Sequence, residues 1–314
     1  MRKTVSGLLP ILIPAVSLAV LLAAVFYMQP RAMSYTGLNL LFNLAVPIAL
    51  ATIAQMIIMA VNDLDLSIGT FVSFAACVTA VYMPNQPLVA ILILAGAVGI
   101  YALLGIVITL RDLPSIVVTL GMSFVWGGLA VLILPAPGGQ APVWLRALMV
   151  SKPPLVPMAI VASVVIAVLA HLLIMRSTFG VLLRGVGGNS RSVARAGWSV
   201  LALKGAAYAT AGIFAVLSGM ALVGLTTSAD ANIALRYTLL SIAGVILGGG
   251  EFVGGKVSPI GAVIGALTLT LAGSFLSFLR ISPDWQIGAQ GGILIIVLAL
   301  RLVINRRSPQ EKTS

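Results

Sequence analysis

Charge is scarce in this sequence: 8% of its 314 residues are charged, and only 7 are Asp or Glu. Soluble domains carry about 25% charged residues, so a hydrated shell of ordinary size cannot be built from this chain. One cysteine, Cys77, excludes an internal disulfide and a cysteine metal cluster. There is one histidine, His171, and neither H-E-x-x-H nor G-x-S-x-G occurs. A lone His in an apolar helix reads as a packing residue before it reads as a general base, so no catalytic residue and no metal site are expected.

Hydrophobic residues, by contrast, make up 60% of the chain. Charge-free runs recur at 4–30, 37–60, 66–83, 87–110, 113–145, 153–175, 205–229, 257–279 and 285–300. A spanning helix needs roughly 20 apolar residues, and the alternation of a membrane β-barrel is missing. The sequence therefore predicts an all-α polytopic membrane protein, one transmembrane domain over 1–314. About ten segments are expected, at 8–28, 37–60, 66–83, 88–110, 116–134, 155–175, 204–225, 238–250, 259–279 and 286–304. The first reads as a retained helix, because a signal peptide has an apolar region of only about 7–15 residues. Segment 238–250 is too short to cross a ~30 Å bilayer at 1.5 Å per residue. It is expected to be a broken helix near 238–258, buried in the bundle or extended by its flanks.

The formal charge of +11 would suggest nucleic acid on a soluble protein. Here it is a topology signal, since cytoplasmic loops are enriched in Lys and Arg. With both termini cytoplasmic, thirteen of the 18 basic residues fall inside and five outside: Arg31, Arg146, Lys152, Arg236 and Arg280. Residues 135–154 then form a Pro- and Gly-rich outer loop, 176–203 the largest inner loop and 305–314 a cytoplasmic tail. Within the inner loop, Asn189 or Ser190 is placed to cap a helix over "SRSVARAGW", and Gly197 to end it.

"GEFVGGKV" (250–257) fits the first seven positions of a phosphate-binding P-loop. A working loop needs Ser or Thr directly after the Lys, and Val257 stands there, followed by Pro259 and another apolar segment. The glycines are read instead as close-packing positions: Gly248, Gly249, Gly254, Gly255, Gly261 and Gly265. Asp63 and Asp65 in "VNDLDLSIG" would serve an aspartyl-pair enzyme, but Asp65 reads better as a cap or gate at the start of the third segment. Asn39, Asn43 and Gln55 lie in the apolar second segment, where polar groups hydrogen-bond between helices or face a water-filled path. Asn39 and Asn43 share a helix face, and Pro47 breaks the phase before Gln55. With Asp65, these three are the candidates for a translocation path or gate.

Five stretches resemble, in order, the membrane permease subunit of ribose-type (monosaccharide) ABC importers. They are "DLDLSIG" (63–69), "LPSIVVTLGM" (113–122), "TFGVLLRGVGGNSRSVARAGWSV" (178–200), "IAGVILGGGEFVGGKVSPIGAVIGAL" (242–267) and "ISPDWQIGAQGGILIIVLAL" (281–300). The resemblance implies a bacterial cytoplasmic (inner) membrane location and a second permease subunit, identical or related. It also implies separate ABC ATPase subunits that hold ATP and Mg, with no cofactor on this chain, and an extracytoplasmic solute-binding protein that delivers a sugar. It assigns coupling to the ATPase to Gly187, Gly188, Asn189, Ser190, Arg191, Arg195 and Gly197. The sequence departs from the family where Asp63 stands for the usual glycine, where Thr238 and Leu240 stand for common acidic residues, and at Ser192, Val193 and Trp198. An ion-coupled secondary transporter is the alternative, but its intramembrane carboxylates and inverted repeats are not evident.

Overall fold

A computed structural model describes residues 2–279 and the isolated positions 285, 288 and 292. Among the described residues the architecture is helical throughout, with one isolated antiparallel bridge between Gly138 and Ala229. The helices are α1 (Arg2–Met28), α2 (Tyr35–Leu41), α3 (Ala45–Met59), α4 (Ile68–Tyr82), α5 (Pro87–Leu110) and α6 (Ser115–Ile133). There follow α7 (Val143–Met149), α8 (Met158–His171), α9 (Thr178–Arg195), α10 (Val200–Thr226), α11 (Tyr237–Leu247) and α12 (Pro259–Phe278). A wide turn, Leu172–Arg176, extends α8. The expected segment 286–304 apart from Gly288 and Gly292, the tail 305–314 and Arg280 lie outside the described residues.

Among the described residues, six stretches are long and apolar enough to cross a membrane: Tyr35–Met59, Pro87–Leu110, Ser115–Ile133, Met158–Arg176, Val200–Thr226 and Pro259–Phe278. Three more, Pro14–Met28, Ile68–Tyr82 and Tyr237–Leu247, are apolar but shorter. The helix starts follow local chemistry. Ser34, Ser177, Ser199 and Ser258 each accept a backbone N–H three residues on, which satisfies an otherwise orphan donor. Pro87 and Pro259 open α5 and α12, where a missing N–H costs nothing.

The second expected segment is not one helix. It breaks at Phe42–Leu44, and Pro47 supplies the reason. Its ring has no N–H for the carbonyl of Asn43 and would clash with that carbonyl in a continuous helix. The 135–154 stretch also differs from a plain loop, since it folds α7 directly after Pro142.

Two layers emerge from burial. Helix α3 is buried along its whole length and packs on α10, where the Ser218 hydroxyl donates to the Pro47 carbonyl at 2.7 Å. Helices α5, α6 and α8 form a periphery that exposes large apolar side chains, among them Leu132 at 78% and Phe124 at 75%. Such a continuous apolar exterior is suited to lipid rather than water. Phe71, Phe74, Tyr101, Trp126 and Tyr208 interlock α4, α5, α6 and α10, with ring centroids 4.5–6.4 Å apart.

Helices α11 and α12 meet backbone to backbone. A Cβ on Gly265 would strike the Gly244 carbonyl, and one on Gly261 would strike Gly248. Only glycine permits this approach, and the C-terminal half of α11 thereby seats on α12.

Candidate functional site

Three sequence motifs that lie far apart in the chain converge at one end of the bundle. The first is the return loop between α3 and α4. Asn62 adopts a left-handed conformation (φ 63°), which the short polar side chain of Asn tolerates better than most. The chain then runs back along the last turn of α3, so that Asp65 lies beside Gln55. With the Gln55 amide oriented to satisfy both groups, it donates to the Asp65 carbonyl at 3.0 Å and accepts from the Asp65 N–H at 3.3 Å. Leu64 and Leu66 complete the loop by donating to Ser115 Oγ (3.1 Å) and Thr119 Oγ1 (3.0 Å) on α6.

Both carboxylates of that loop are occupied. Asp65 is fully buried and accepts from Ser67 N (2.6 Å), Ser67 Oγ (2.7 Å) and the Tyr101 hydroxyl. It thus fixes the entry to α4, where Ser67 is the cap residue. Asp63 accepts from Lys204 Nζ through both oxygens at 3.0 Å, and from the Tyr208 hydroxyl at 3.3 Å. Burial pushes the Asp63 carboxyl up from its ordinary range, and the Lys204 ammonium and then the Tyr208 hydroxyl pull it back. One step beyond Asp65, the Gly69 N–H donates to Thr238 Oγ1 at 3.0 Å. The first turns of the short helices α4 and α11 therefore touch.

The second motif is α9. Its regular path breaks at Asn189 (φ −160°, ψ 94°), whose Oδ1 accepts Ser192 N–H at 3.1 Å. Asn189 is thus the cap of a short second helix. Gly197 (φ 87°) ends it, with Gly197 N–H on Ala194 and Trp198 N–H on Val193, the paired bonds of a Schellman close. Gly188, Asn189, Ser190, Arg191, Arg195 and Gly197 are exposed, whereas Gly187 is buried. A Cβ on Gly187 would strike the Ala60 carbonyl and lie 2.8 Å from the Gly255 Cα.

The third motif is the glycine turn after α11. Gly254 (φ 91°) donates its N–H to Asn62 Oδ1 at 2.9 Å, and Gly255 (φ 64°) packs on the Arg184 backbone. Lys256 pairs with Glu251 at 3.3 Å. The amide of Gly254 is therefore committed to Asn62 and Lys256 to a carboxylate, which gives the turn an internal structural explanation in place of a phosphate cradle. Of the coupling candidates, Gly187 meets the end of α3 and the glycine turn and Gly188 the glycine turn, while Asn189, Ser190, Arg191, Arg195 and Gly197 lie exposed beyond them.

Asn39 and Asn43 sit away from this junction. Asn43 occupies the break between α2 and α3, and both residues line a cavity of about 100 Å³ with Lys152 and Met158. Asn43 also lines a larger cavity of about 490 Å³ between the α2–α3 break, α11 and α12, together with Arg236, Tyr237, Thr270 and Ser274. Gln55 and Asp65 line neither.

Sequence reading did not single out Tyr101, Tyr208, Lys204 or Tyr237. A signal existed: a tyrosine inside an apolar run must bring its hydroxyl to a partner, and Tyr101 and Tyr208 do so with the two carboxylates.

Comparison with known proteins gives a family model, branched-chain amino acid transport system / permease component, that matches residues 37–298. A probable ABC transporter permease protein of Sinorhizobium fredii is 27% identical over 93% of this chain and 89% of that protein. The galactose/methyl galactoside import permease protein of Escherichia coli is 27% identical over 91% of this chain and 92% of its own length. The ribose import permease protein of Escherichia coli is 25% identical over 93% of this chain and 92% of its own length. No solved structure matches.

Proposed function

The chain belongs to the branched-chain amino acid transport system / permease component family, and from that premise we propose that it is the membrane permease of an ABC importer for a sugar or sugar-like solute. It is a multi-pass transport component rather than an enzyme. Its working partners are an ATPase and a solute-binding protein.

The sugar assignment draws on relatives named for ribose and for galactose import. The finer arrangement is part of the same proposal. One domain over 1–314 crosses the bacterial inner membrane about ten times with both ends in the cytoplasm. It pairs with a second permease, and ATP and Mg are bound by the ATPase.

The observation that carries a coupling role is the contact of Gly187 with both Ala60 and Gly255. The exposed, capped, basic helix after Asn189 is the docking element. Force applied to it passes through the buried half of α9 into two places. One is the return loop that positions α4, and the other is the glycine turn that positions α11. These helices touch at Gly69 and Thr238, which gives a tilt of α9 a route to the bundle interior.

Reversing charge at Arg191 and Arg195 tests this. The double change to Glu is expected to lower ATPase co-purification by about tenfold or more, the scale of truncated charge pairs at interfaces. Membrane insertion and the thermal stability of the permease alone should stay unchanged, because both residues are exposed. Undiminished ATPase binding would remove the coupling role from this helix.

A further inference from the structure

The 490 Å³ cavity lies between the α2–α3 break, α11 and α12, and none of the coupling candidates lines it. It lies in the size range of small-molecule sites. Its polar character is one-sided. Arg236 contributes a guanidinium, and no Asp or Glu is among the lining residues. Arg236 has no carboxylate within ion-pair distance among the described residues. It is also the residue from which α11 starts, so the positive end of that helix dipole adds to the same field.

A second observation is independent of charge. Tyr237 is 3% exposed, lines this cavity, and its hydroxyl has no hydrogen-bond partner. A buried hydroxyl left unpaired costs free energy, and a partner reaching Tyr237 from the cavity would recover it. The other hydroxyls nearby are differently placed. Thr270 and Ser274 already donate, to Ala266 and Leu41 at 2.8 Å each, and so present oxygens that accept.

A neutral sugar needs only a balanced set of weak donors and acceptors. An unpaired guanidinium and a helix N-terminus exceed that need and leave positive potential unmatched among the described residues.

Resting on the importer reading, we propose that the carried solute is a sugar acid, a polyhydroxylated carboxylate. Its carboxylate meets Arg236 in the cavity. Its hydroxyls donate to Thr270 and Ser274 and accept from Tyr237 and Asn43. The Arg236 guanidinium is suited to bidentate carboxylate recognition, and exposure at the cavity rim lets it engage without a buried-charge penalty.

The test uses the full chain purified in lipid nanodiscs and direct binding of radiolabelled probes. D-Galacturonate and D-glucuronate are each compared with D-galactose and D-glucose, which differ from them only at carbon 6. At least one acid is expected to bind saturably and about tenfold or more tighter than its neutral parent, the scale of a charge-assisted bond. Arg236→Gln should abolish that preference while leaving thermal stability unchanged. Tyr237→Phe should weaken acid and neutral sugar alike, a few-fold each. Three results overturn the proposal: neutral sugars binding as well as the acids, no saturable binding of either acid, or a preference that survives Arg236→Gln. ATPase co-purification is read from the same membranes. Its presence alongside a neutral preference would leave the importer reading standing and remove only the acid.

Discussion

Replacing Lys204 with Met is expected to destabilise the purified permease by about 3 kcal/mol, within the range for breaking a buried ion pair by removing one partner. Lys204 and Asp63 are 16% and 8% exposed, and the ammonium contacts both carboxylate oxygens at 3.0 Å. The change leaves the Asp63 carboxylate buried with only the Tyr208 hydroxyl for company. Burial already pushes that carboxyl up, so proton uptake limits the loss rather than preventing it. Adding Asp63→Asn should restore most of the stability, because a neutral pair in the same space removes the unpaired charge. Thermal unfolding of the wild type, both single variants and the double variant measures this. Equal destabilisation in the single and double variants would show that the pair contributes packing and not charge compensation.

A single methyl group at Gly261 should do comparable damage by a different route. Its Cβ would strike the Gly248 carbonyl, and it would sit 2.9 Å from the Gly248 carbonyl carbon and 2.8 Å from Ser258 Oγ. Backbone atoms cannot rotate away as a side chain can. Helices α11 and α12 must separate, and Ser258, which caps α12, must give up its bond to Gly261 N–H. Overpacking costs about 1–3 kcal/mol or more, and loss of a cap adds about 1 kcal/mol. Gly261→Ala is expected to lower the yield of monodisperse protein and the coupling of α11 to the rest. Gly96→Ala is the control, since its Cβ meets nothing within 4 Å, and it should be neutral or slightly stabilising. Similar behaviour of the two variants would contradict close backbone contact between α11 and α12.

The features legible in the sequence are those with local causes. Long charge-free runs gave the apolar helices. Asn189 and Gly197 bracketed a short helix because a side-chain cap and a positive-φ glycine act within a few residues. The short segment after Arg236 was visible from its length, and the structure makes it the 11-residue α11. Pro47 marked a break in helical phase, and the chain breaks just before it.

The features that escaped depend on approach of distant residues. Asp63 and Lys204 are 141 positions apart, and Asp65 and Tyr101 are 36 apart; no spacing rule connects them. The α3–α4 return was hidden for a related reason. Gln55 binds the backbone of Asp65, and backbone partners leave no pattern in residue types. The cavity at Arg236 needed four helices in place before its one-sided charge could be seen.

The central claim is that this chain moves its solute with energy from a separate ATPase docked on the basic helix after Asn189. The most direct measurement is mild-detergent purification of the tagged chain from its native membranes, wild type beside the Arg191→Glu, Arg195→Glu double variant, with identification of the bound proteins. The account predicts an ABC ATPase that remains bound to the wild type and is largely lost from the variant. A wild-type chain that retains no ATPase where a control importer does, and that takes up solute alone on a proton or sodium gradient, would contradict it.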